Sequence, residues 1–179
     1  MIEHRFGRDA WTERKLIALR EYLQQWRLIF DNNSGARYFK TLYIDAFAGT
    51  GSRSEPTKPA NLDQFELFGL DTSVSSDSYR RGSARIALEL DSKFDQYIFV
   101  DKNPNHAAEL RRMIEADFPT LVSRCRVWEA DGCEVMRELC HHGKDWKKWR
   151  AVAFLDPYGM NVEWPLLEWI ATTKGIDLW

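Results

Sequence analysis

Residues 43–51 read YIDAFAGTG. Leu42, Tyr43 and Ile44 form an apolar, strand-favouring run that stops at an acid, Asp45, and gives way to small residues, Ala46, Ala48, Gly49, Thr50 and Gly51. A strand that ends in an acid and turns through glycines brings backbone N–H groups close to a ligand. Glycine has no Cβ to block the approach and reaches positive φ freely. The acid accepts a hydrogen bond or balances a positive charge on that ligand. Open α/β sheets bind ligands just past the carboxyl ends of their strands, so this stretch reads as a nucleotide-like cofactor turn.

Working outward, the pattern repeats. QYIFVD (96–101) is a second apolar run ending in an acid, Asp101; RCRVWEAD (124–131) ends near Asp131; AVAFLD (151–156) ends at Asp156 and is followed by Pro157 and Tyr158. Helical spacing lies between them. WTERKLIALREYLQQWRLIF (11–30) places Leu16, Leu19, Leu23, Trp26 and Phe30 three or four apart, with Thr12 as a candidate cap. RRGSARIALEL (80–90) opens a helix at Gly-Ser, Asn103-Pro104 starts one over about 104–117, and further helices are expected over 132–141 and 165–174. IDLW (176–179) begins a fifth strand. Alternating βα units predict a three-layer α/β fold with a mostly parallel sheet and right-handed crossovers. Parallel order gathers all four acids on one sheet edge. Residues 52–80 hold little periodicity and read as an insert over the first turn.

The bulk numbers fit one domain, residues 1–179, with 44% hydrophobic residues to build a core. The formal net charge of −2 is not the footprint of a strongly basic nucleic-acid-binding domain, although a local patch is compatible with it. There is no apolar signal segment and no run of roughly 20 apolar residues, so a soluble cytoplasmic protein is the default expectation. Cys125, Cys133 and Cys140 lack a C-x-x-C pair and read as buried thiols, not as a metal site or a disulfide framework. Lys147, Lys148 and Arg150 are mixed with Trp146 and Trp149, a mixture suited to single-stranded nucleic acid, with a solvated loop whose tryptophans tuck into the core as the favoured reading.

The motifs resemble those of Rossmann-like S-adenosylmethionine-dependent methyltransferases. On that resemblance, D-x-F-x-G-x-G (Asp45, Ala48, Gly49, Gly51) holds the methionine end of the cofactor, Asp101 the ribose hydroxyls and Asp131 the adenine amino group; Asp131 is equally placed to cap the helix behind it. FLDPYGM (154–160) is similar to the [DNS]-P-P-[YFW] motif of amino-methyltransferases, one proline short, which implies that Asp156, Pro157 and Tyr158 hold the target. The run YIDAFAGTG, GSA (82–84), FVDKNP (99–104), EADG (129–132) and FLDPYGMNVEW (154–164) resembles the three-Cys-motif partner protein (TcmP) family from about Trp11 to Trp179.

That resemblance implies a partner carrying a cysteine motif, a nucleic-acid amino group as the substrate class, and a seven-strand sheet of order 3-2-1-4-5-7-6. Only four strands and the start of a fifth are legible, so the chain reads as truncated, with an apolar sheet edge to cover. The alternatives are a non-catalytic partner that keeps the fold, and a dinucleotide-dependent oxidoreductase. The second is disfavoured because the turn is not G-x-G-x-x-G.

Overall fold

The computed structural model describes residues 3–51, 82–157 and 162–179, with side chains from residue 14 onward. The expected insert (52–80) and Tyr158 lie outside the described residues.

Five strands make one sheet: β1 (Lys40–Asp45), β2 (Gln96–Asp101), β3 (Cys125–Glu129), β4 (Trp149–Phe154) and β5 (Ile176–Leu178). Every pairing is parallel and the order is β3-β2-β1-β4-β5, a Rossmann-like arrangement. β1 is central, and Leu42, Tyr43 and Ile44 are all fully buried. A strand covered on both faces needs such an unbroken apolar run, not an alternating one. β5 covers the edge of β4 over three residues, Ala151↔Ile176 to Ala153↔Leu178.

The helices are α1 (Glu3–Asn32), α2 (Ser83–Glu89), α3 (Pro104–Asp117), α4 (Gly132–Glu138) and α5 (Trp164–Thr173). On one face of the sheet, Tyr43, Tyr97, Phe99 and Val152 pack with Leu19 and Leu23 of α1, Leu88 of α2 and Leu110 of α3. On the other, Leu42, Ile44, Val100 and Ala153 pack with Met136 of α4 and Leu166 and Ile170 of α5. Each fully buried leucine on these faces contributes about 1.5–3 kcal/mol over its exposed state.

α1 runs antiparallel to the strands and spans them. Towards its middle Lys15 pairs with Asp156 beyond the end of β4. Near its finish Arg27 donates to Thr41 Oγ1 at the start of β1 (2.8 Å) and to Ser92 (3.0 Å). The separation of twelve positions covers roughly 18 Å at the helical rise, close to the length of a six-residue strand.

Three boundaries differ from the sequence reading. α1 begins at Glu3, not near Trp11, so Thr12 lies inside the helix and not at its start. β4 ends at Phe154, which puts Asp156 two residues beyond the ladder. The helix expected over 132–141 is α4 followed by a π turn, Leu139–Gly143.

Candidate active site

The turn after β1 is fastened to both neighbouring strands. Ala46 N–H donates to Phe154 O (3.1 Å) and Ala48 N–H to Val100 O (2.9 Å). Gly49 and Gly51 then adopt φ of +60° and +74°, the left-handed region that a residue with a Cβ enters at a cost. A Cβ on Gly49 would meet nothing within 4 Å, whereas one on Gly51 would meet Leu110 Cδ1 and Met113 Cε at 2.7 Å. Gly49 therefore faces open space and Gly51 faces the core.

Asp101 is the tie that shapes this turn. Its Oδ2 accepts the Gly49 N–H (2.9 Å), and its Oδ1 accepts the Asn103 N–H (2.7 Å) and lies 3.3 Å from His106 Nδ1. Asn103 in turn caps α3, its Oδ1 accepting from Asn105 N–H at 2.9 Å, with Pro104 at the first helical position. One carboxylate thus joins the end of β2 to the glycine turn and to the entry of α3.

Asp131 caps α4: its Oδ1 accepts the N–H groups of Cys133 (2.9 Å) and Glu134 (3.2 Å). Behind it Gly132 lies so near the β1 turn that a Cβ there would sit 2.0 Å from Ala46 O. Only glycine lets these two backbones touch.

Asp45 lies beneath the site. It is fully buried, its Oδ1 accepts the Phe47 N–H (3.3 Å), and its Oδ2 is shut off from solvent beside the hydroxyls of Ser83 and Tyr43. Burial lifts its pKa to about 7; the Ser83 hydroxyl and the Phe47 N–H act in the opposite direction, and the charge of Asp156 adds to the rise. The neighbouring Tyr43 hydroxyl is buried against this carboxyl; burial first, and then Asp45, raise its pKa.

These elements enclose a crevice of about 980 Å³ at the carboxyl edge of the sheet. Ala48, Gly49, Gly51, Asp101, Asp131, Asp156 and Pro157 all line it; Asp45 does not. Four strand ends therefore meet in one space, three of them supplying an acid to its wall and β1 supplying the glycine turn. Asp156 is partly exposed and is paired with Lys15.

Sequence reasoning missed Lys15, His106, Arg137 and Glu163, which also line the crevice. Lys15 carried no signal, because nothing local says that α1 crosses the end of β4. Cys133 lines the crevice too; burial, then the nearby Asp131 charge, raises its thiol pKa, which disfavours the thiolate. Cys125 and Cys140 are pushed up to about 11 by burial. No helix among the described residues is long and apolar enough to cross a membrane.

No family model and no curated protein matches the chain. Among solved structures, a Legionella pneumophila protein of the DUF519 family superposes with a TM-score of 0.51 at 14% identity, covering 78% of this chain and 54% of that one. The chain thus spans about half the length of that protein. A conserved hypothetical protein of Streptococcus pyogenes aligns at 17% identity over 84% of this chain and 68% of its own, with a TM-score of 0.44, too low to carry an argument. At these identities the likeness concerns the fold alone: an α/β, Rossmann-like architecture.

Proposed function

We propose that this chain is an S-adenosylmethionine-binding domain of the methyltransferase type and a member of the three-Cys-motif partner protein family. On this reading it acts on a nucleic-acid amino group beside a cysteine-motif partner. The observation that carries the reading is the Gly49–Asp101 tie. The Gly49 N–H is spent on a carboxylate, so this donor is not offered to a pyrophosphate, as a dinucleotide turn would require. The walls carry five acids, Asp101, Asp131, Glu134, Asp156 and Glu163, against Lys15, Lys102 and Arg137, an excess of negative charge that favours a ligand with positive charge over one with phosphates.

The residues present fit such a ligand. The open face of Gly49 admits close approach of the methionine portion, beside Ala48 and Gly51. Asp101 keeps further lone pairs on both oxygens for ribose hydroxyls. Asp131 stands where an adenine amino group would be accepted, and the buried Asp45 adds negative charge below once ionised. Bound there, the cofactor supplies an electrophilic methyl group on a sulfonium. Asp156, the Pro157 carbonyl and Tyr158 are the groups that would accept hydrogen bonds from, or stack on, the acceptor, and the chain's contribution is then alignment.

The Lys15–Asp156 pair favours a second reading, a non-catalytic domain that keeps the cofactor crevice. In it the acid meant for the acceptor is paired with a lysine. Calorimetric titration with S-adenosylmethionine and with NAD tests the first step: heat is expected with the former only, and none with the former removes the proposal. Methyl transfer to RNA or DNA, assayed with the cysteine-motif partner present, separates the two readings. Cofactor binding without transfer leaves the non-catalytic one.

A further inference from the structure

The amino edge of the sheet, opposite the crevice, has a chemistry of its own. Parallel topology brings together the starts of β1 and β4 and the turn before β5, and each carries cations. Lys40 stands opposite Trp149, and Thr41 opposite Arg150; Lys174 precedes β5 with φ of +51°. Lys144, Lys147, Arg150 and Lys174 line a second hollow of about 500 Å³. The one acid in its lining, Asp145, is already engaged by the Lys147 N–H (3.1 Å) and the Lys148 ammonium (3.3 Å).

The cations are set among aromatic rings. Lys144 Nζ lies 4.2 Å and Lys40 Nζ 5.7 Å from the Trp149 ring centre, and the Arg150 guanidinium stacks 3.8 Å from that of Phe39. Beside Phe39, the Tyr38 ring is 70% exposed and offers a free face. Trp146 Nε1–H, in the wall of the hollow, is buried with no acceptor. The crowding of charge is also felt electrostatically: after burial, Lys40 and Arg126 are what depress the Lys144 pKa. In a chain of net charge −2, this is a segregated positive surface, roughly 17 Å along the strands from the crevice.

We propose that this edge is a binding surface for single-stranded nucleic acid. Lys40, Lys147 and Lys174 contact successive phosphates; Arg150, whose Nη1 is held by the Trp146 and Trp149 carbonyls (2.6 and 2.7 Å), adds charge beside them, and Tyr38 stacks on a base. Phosphate attraction alone would suit any polyanion; the exposed ring beside the cations selects a strand whose bases are unpaired. The proposal stands on this edge alone and does not depend on what the crevice binds.

Fluorescence anisotropy with a labelled oligo-uridylate of about 20 nucleotides tests it, on the full chain, from about 50 to about 200 mM salt. Wild type is expected to bind, with affinity falling steeply as salt rises. The triple variant Lys40→Ala/Lys147→Ala/Lys174→Ala, all exposed positions, should bind at least tenfold more weakly at the low-salt end and show a log–log salt slope smaller by about two. Tyr38→Ala should lose roughly fivefold or more. Arg20→Ala, an exposed cation on α1, should bind as wild type, and circular dichroism should show every variant folded. No binding by wild type, equal binding by the triple variant, unchanged affinity in Tyr38→Ala, or equal affinity for a duplex of the same length would each overturn the proposal. Capture by phosphatidylserine vesicles without oligonucleotide binding would overturn it in favour of a membrane surface.

Discussion

The Gly49 N–H donates to Asp101 Oδ2 across 2.9 Å, joining residues that lie 52 positions apart in the chain. The same carboxylate holds Asn103 N–H, so its loss frees two backbone donors at once. Asp101→Ala is expected to lower stability by about 2–3 kcal/mol and to abolish S-adenosylmethionine binding by calorimetry. A variant that loses stability but keeps wild-type affinity would take Asp101 out of the binding site and leave it a loop tie.

The two glycines that border the crevice should respond differently to a methyl group. Gly49→Ala meets only the cost of its positive φ, about 1–2 kcal/mol. Gly132→Ala must force a Cβ against Ala46 O and should cost about 3 kcal/mol or more, or prevent folding. Urea unfolding of the two variants gives the comparison. Equal losses would mean that the contact between α4 and the β1 turn relaxes easily.

Asp45 predicts a particular pH dependence. Its carboxyl titrates at about 7 in the folded protein, against an ordinary 3.8. Between those values the folded protein keeps a proton that the unfolded chain has released. The stabilisation is therefore full below about pH 4 and is lost as pH rises through 7, by on the order of 4 kcal/mol. Asp45→Asn cannot titrate, so its stability relative to wild type should improve from about pH 5 to about pH 8. Parallel stability curves for the two proteins would show that the buried carboxyl does not carry this proton.

Breaking the Lys15–Asp156 pair should matter little to the fold. Asp156 is 44% exposed, and exposed pairs contribute about 0–1 kcal/mol. Lys15→Ala should shift the melting temperature by no more than a few degrees, and Asp156→Ala should spare cofactor binding while eliminating any methyl transfer. If Lys15→Ala turns on transfer in a protein that otherwise shows none, the pair is a closure over the acceptor acid.

Where local signals were strong, the sequence was readable to the residue. β2 and α3 fall on Gln96–Asp101 and Pro104–Asp117, because an apolar run stops at an acid and Asn-Pro supplies both the cap and the first helical φ. β4 was misplaced by two residues, because its limits are set by pairing along β1, a constraint that composition does not carry. The start of α1 was missed for a related reason: an apolar stripe marks where a helix packs, not where its backbone hydrogen bonds begin. Three acids on the crevice wall followed from topology alone, but the burial of Asp45 and the reach of Lys15 depend on how a whole helix lies across the sheet.

Among the described residues, an acid-rich crevice wall and a cation-rich amino edge stand at opposite ends of the strands. Such a body turns in a field before it touches anything. Near a polyanion it would make first contact by the amino edge, and a strand held there would have to pass round the body to bring a base to the mouth of the crevice. Its chromatography should show the same polarity, with retention on both cation and anion exchangers near neutral pH that its overall charge of −2 does not suggest.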